Sequence, residues 1–160
     1  MRHTRPPRQR GVAAVEFAIL LLPMMLIAFG IVEFGRAFYQ YNTLVKATRN
    51  AARYLSQQNA GDTQVLDNAK CLLQYGSHEY CVNHNGAKPP SLLPEAEFAD
   101  AKVTVCDWQS CPATHKVSVP AANLVSVSVE SYPYTVLLPW VLPQQGVRFG
   151  RISTTMRSNL

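Results

Sequence analysis

The first fifteen residues hold no acid, and residues 11–32 hold no charge except Glu16. A stretch this poor in charge excludes a solvated surface helix. Residues 37–59 contain neither glycine nor proline, which excludes a programmed break there. No glycine-rich phosphate loop, helix-borne histidine pair or Cys-x-x-Cys occurs, and His78, His84 and His115 lack a nucleophile context. These absences argue against an enzyme and imply no cofactor and no metal. Past residue 10 the chain carries eleven cations against ten acids, so its formal +5 resides mainly in Arg2, Arg5, Arg8 and Arg10. A nucleic-acid groove needs cations gathered on one folded face, and a basic tail does not supply it.

What is present begins with an apolar run. Residues 17–32 are uncharged and mostly apolar, and counting from Val12 gives 21 positions with Glu16 among them. About 20 residues span a bilayer core at 1.5 Å per residue. A buried core helix is the plain alternative, but a chain of 160 residues has little else to surround it. Pro23 is expected to kink the segment, which membrane helices tolerate. The dense arginines ahead of the run place the N-terminus on the cytoplasmic side by the positive-inside rule. A secretory signal peptide is disfavoured, because Gly35-Arg36-Ala37 is a poor cleavage site and Glu16 interrupts the apolar region.

The four cysteines form two close pairs, Cys71 with Cys81 and Cys106 with Cys111. Even number and clustering suit disulfides in an oxidising compartment. Three connectivities exist, and local pairing closes the shortest loops at least entropic cost. Zinc is the rival, with His84 three residues after Cys81 and His115 four after Cys111; the nine residues between Cys71 and Cys81 fit it poorly. A periplasmic thiol oxidoreductase is disfavoured too, since four residues separate Cys106 from Cys111 where two are usual.

The helical pattern continues past the apolar run. Tyr41, Leu44, Val45, Thr48, Ala51, Ala52 and Leu55 recur at three- and four-residue steps. The spacing predicts one helix over residues 12–57, roughly 70 Å long, with Phe34, Phe38, Tyr39 and Tyr41 where an interfacial belt is expected. A shorter helix follows to about Tyr75, with Asp62 or Thr63 as its cap. Residues 76–94 read as loop. Alternation predicts strands over 101–107, 115–119 and 124–131, and a last one over 147–156. The Cys106–Cys111 loop is expected to tie a hairpin between the first two. The sum is an α+β architecture: a long membrane-spanning helix whose outer half packs on a small antiparallel sheet. The expected domains are a basic leader 1–11, the helix 12–57 and a periplasmic domain 58–160. Residues 132–143 are apolar but hold three prolines, so they form either a cover for the core or an exposed partner patch anchored by Tyr134 and Trp140.

Gly11 followed by Val12-Ala13-Ala14-Val15-Glu16-Phe17 resembles the processing site of type IV prepilins, which a membrane-bound peptidase cuts after glycine. Together with Glu33-Phe34-Gly35-Arg36 and Tyr41-Asn42-Thr43-Leu44, the segment 10–55 resembles TadE-like proteins of the tight-adherence (Tad) pilus system. The resemblance implies cleavage between Gly11 and Val12 by a prepilin peptidase, with Glu16 and Phe17 serving recognition and assembly. It implies a minor pseudopilin that primes or joins a filament of adhesion or secretion. The expected site is the bacterial inner membrane, crossed once, with the C-terminal part periplasmic. Its partners are membrane lipid, other pilins and pseudopilins, and the assembly platform. The competing expectation is an unprocessed, membrane-anchored periplasmic binding module.

Overall fold

The computed structural model describes residues 11–83, 87–116, 123–137 and 147–158. Helix α1 runs Val12–Ser56 without interruption, and it passes through Pro23. The chain divides into two compact units, Met1–Arg36 and Ala37–Leu160, so α1 contributes to both. In the first unit the helix exposes large apolar side chains on every side; Phe17 is 66% exposed and Met24 70%. Among the described residues α1 is the one helix long and apolar enough to cross a membrane.

The second unit is the α+β part. Its share of α1 buries Leu44, Thr48, Ala51, Ala52 and Leu55 of the expected stripe, together with Ala47, while Val45 is half-buried and Tyr41 exposed. Gln57 and Gln58 donate to the carbonyls of Tyr54 and Leu55, which tightens the last turn into 3₁₀ geometry. Helix α2, Thr63–Tyr75, starts at Asp62, whose side chain accepts from the Gln64 N–H at 2.8 Å. It ends at Gly76 with φ 68°, the left-handed cap that glycine adopts without a Cβ clash. Two short helices follow, α3 over His78–Cys81 inside the expected loop region and α4 over Glu95–Ala99 just beyond it. Ser77 caps the first through Tyr80 N–H.

Strand β1 spans Lys102–Cys106, β2 Leu124–Glu130 and β5 Ile152–Arg157; they form an antiparallel sheet in the order β1-β2-β5. Val103 pairs with Val129 and Val105 with Val127 on one side of β2, while Ile152 pairs with Val129 on the other. The inward face of β2, Val125, Val127 and Val129, is fully buried in one core with Leu44, Ala51, Leu73 and Tyr132. Thr154 Oγ1 donates to Thr48 Oγ1 at 3.3 Å, fastening β5 to α1.

Two strand expectations are corrected. His115 lies in a helix, α5 over Pro112–His115, because Pro112 presets the first helical turn after Cys111. The Cys106–Cys111 loop therefore joins β1 to a helix at Pro112–His115, where the sequence suggested the start of a strand; residues 117–119 lie outside the described residues. The final strand is two: β4, Arg148–Phe149, and β5, separated at Gly150 and Arg151. Strand β4 pairs with β3, Tyr132–Pro133, in a separate two-stranded ribbon. The chain passes from β2 into β3 through Ser131, a non-glycine at φ 56°, whose carbonyl accepts from Arg148 Nη1 at 2.8 Å.

Candidate functional site

Gly11 stands just ahead of α1, and its carbonyl accepts from the Val15 N–H at 3.3 Å. A Cβ placed on Gly11 would meet nothing within 4 Å among the described residues, so local packing does not require glycine there. Val12 opens the helix, and Glu16 follows four residues later, one turn along the same face. Both are exposed, as is Phe17. No ion pair involving Glu16 occurs among the described residues. An acid on a helix that is otherwise apolar is expensive in hydrocarbon, by a few kcal/mol in insertion measurements. The arrangement puts a carboxylate within one turn of the backbone nitrogen of Val12. If that nitrogen were a free terminus, it would be an ammonium able to pair with Glu16.

Glu33 is a residue the sequence reading treated only as a motif member. It is buried, with 7% of its side chain exposed, and Arg36 Nη2 lies 3.4 Å from its Oε1. The i,i+3 spacing of opposite charges was the available signal. Between them Phe34 and Gly35 are exposed. Phe38, Tyr39 and Tyr41 also expose much of their rings, in keeping with a belt. Tyr41 additionally packs edge-on against Phe149, with centroids 5.8 Å apart.

Both cysteine pairs are local disulfides, Cys71–Cys81 and Cys106–Cys111. The first fastens α3 to α2; the second closes the turn after β1. Tyr134 is buried, tilted against Phe149 at 5.8 Å, and belongs to the core rather than to an exposed patch. Its proposed companion Trp140 lies outside the described residues. A cavity of about 340 Å³ opens beside α1 and α2, lined by Asn50, Arg53, Tyr54, Gln57 and His78 among others. Its described lining holds no nucleophile–base pair.

Residues 11–53, about a quarter of the chain, match the family described as TadE-like protein. No curated protein and no solved structure matches. The N-terminal segment is thus similar to TadE-like proteins, and the matched stretch contains Gly11, Glu16 and the Glu33–Arg36 pair. The matched stretch includes the part of α1 that is long and apolar enough to cross a membrane.

Proposed function

We propose that this protein is a minor pseudopilin that primes or joins a Tad-type pilus or a related secretion apparatus. In this reading a prepilin peptidase cuts after Gly11, and α1 remains in the inner membrane with its N-terminus toward the cytoplasm. The observation that carries the reading is the placement of Glu16 one turn after Val12 on an exposed apolar helix, with no ion pair among the described residues. Cleavage would create an ammonium at Val12. Glu16 then pairs with that group or with the terminus of a neighbouring subunit, and the pairing offsets its desolvation in lipid. The open space at Gly11 supports a demand set by a peptidase pocket.

The partners in this reading are membrane lipid, the prepilin peptidase, other pilins and pseudopilins, and the assembly platform. The second unit, with its buried core and two disulfides, is the periplasmic head that contacts them. Intact-mass measurement of the protein extracted from native membranes tests the proposal. A chain beginning at Val12 is the expected result. A chain retaining the four leading arginines overturns it in favour of the unprocessed binding module.

A further inference from the structure

Cys106 ends β1, Cys111 precedes α5, and His115 closes that helix. Their ligand atoms, two sulfurs and one imidazole nitrogen, all lie within 4.8 Å of one another. Among the described residues this is the one grouping of three metal-ligating side chains so close. Cys111 and His115 are four apart across a helical turn, which puts sulfur and ring on one face. The ring is held from both sides: Thr114 Oγ1 is 2.6 Å from Nδ1, and Ser126 Oγ is 2.6 Å from Nε2. Ser126 is in turn the register partner of Cys106 across β1 and β2. A ligating histidine has its second ring nitrogen held by a polar partner, so one of these hydroxyls can stay while the other gives way to a ligand.

We propose that the Cys106–Cys111 disulfide is one of two alternative states of this cluster. In the other, the reduced sulfurs and His115 bind a divalent cation of the zinc class. A dithiol supplies the two electrons and two protons: the Cys106–Cys111 bond breaks, two cysteine thiols form, and the dithiol closes to its own cyclic disulfide. The cation then displaces both thiol protons into solvent and takes the lone pair of one ring nitrogen. The other nitrogen keeps its hydroxyl partner. Tetrahedral zinc holds its sulfurs on the order of 3.8 Å apart, from bonds of about 2.3 Å. The Cα atoms of Cys106 and Cys111, 5.6 Å apart, accommodate that by side-chain rotation. Two thiolates and an imidazole are a borderline-to-soft set, and three protein ligands leave one position to water. Disulfide and cation exclude each other, so oxidation expels the metal. The site is independent of the pilus reading.

The test uses the full chain in detergent, reduced with dithiothreitol, freed of it without oxygen and titrated with Co(II). The expected result is one cobalt per chain with a thiolate-to-cobalt absorption band, two protons released per ion, and displacement by zinc. The unreduced protein should give none of these. His115→Ala should weaken binding at least tenfold, and Cys106→Ser/Cys111→Ser should abolish the band. Alkylation mapped by mass spectrometry on the wild-type chain guards against a misfolded variant: zinc should shield Cys106 and Cys111 and leave Cys71 and Cys81 reactive. Absence of binding by the reduced wild type, a band surviving in the double variant, or shielding that falls on Cys71 and Cys81 or on all four overturns the proposal.

Discussion

Asp107 Oδ2 accepts a 2.8 Å hydrogen bond from the backbone N–H of Gly61, 46 residues earlier in the chain. The other oxygen accepts from the N–H groups of Gln109 and Ser110. One buried carboxylate thus anchors the turn between α1 and α2 to the loop closed by Cys106–Cys111. Burial alone raises its pKa, but the bonds from Gly61, Ser110 and Gln109 outweigh burial and hold it below the usual aspartate value. A depressed folded pKa means that the stabilisation is complete above the unfolded value, about 3.9. It is lost as pH falls through the lower folded value. Asp107→Asn should cost about 1–3 kcal/mol at neutral pH. Thermal unfolding of both proteins between pH 2 and 7 should show a shallower acid limb in the variant.

A second buried acid anchors the ribbon. Tyr132 donates its hydroxyl to Glu97 Oε2 at 2.8 Å, and the Thr135 N–H reaches Oε1 at 3.2 Å. Burial, and then the bond to Glu97, push the tyrosine pKa well above its ordinary value. Tyr132→Phe keeps the ring stacked on Phe149 and removes only the donor. It should lower stability by about 1–3 kcal/mol, because Glu97 stays buried with one partner fewer. Denaturant titration of the detergent-solubilised protein measures it.

Gly76→Ala tests a backbone demand. Its φ of 68° is costly for any residue with a Cβ, and an added Cβ would lie 2.9 Å from Leu92 Cδ1. The leucine tip can shift, so the backbone dominates at about 1–2 kcal/mol. A fall in melting temperature with unchanged far-UV circular dichroism is the expected outcome.

Gly11→Leu separates fold from processing. The space around Gly11 admits a side chain, so helicity and thermal unfolding should match the wild type. Under the pseudopilin reading, the leader should remain attached, seen as a higher band on membrane immunoblots. Normal trimming of this variant would count against a peptidase that reads the glycine.

Glu16→Ala should leave membrane extraction behaviour unchanged, since it removes the one charge from an apolar stretch. Co-purification with filament components should drop by tenfold or more. Assembly at wild-type levels would sink the pairing role.

Much of the fold was readable because its strongest elements follow one period for a long distance. The stripe from Leu44 to Leu55 and the alternation of Val125, Val127 and Val129 each mark a buried face, whereas Tyr41, at the start of the predicted stripe, is exposed. Short elements defeat periodicity: α3, α4 and α5 span only four or five residues, too few to show a 3.6-residue repeat. Val117 and Val119 suggested a strand starting at His115, but Pro112 favours the helical turn in which His115 lies. The N-terminal site was legible as a motif, because it depends on spacing along one helix. Glu33, Glu97 and Asp107 were not recognised as buried acids. The i,i+3 spacing to Arg36 was a local signal for Glu33, but Glu97 and Asp107 bond to groups 35 and 46 residues away, which local pattern does not encode.

Both disulfides enclose short rings, with sequence separations of 10 and 5. Under traction on the two ends, only the length inside those rings is withheld from extension, about 50 Å at ~3.5 Å per residue. Neither bridge ties β5 to α1, so resistance of the head to pulling falls on the hydrogen-bonded ladder around β2 and the side chains packed behind it. Resistance to unfolding under load in this unit therefore rests on its sheet, while its sulfur bridges act only to shorten the chain once the sheet has given way.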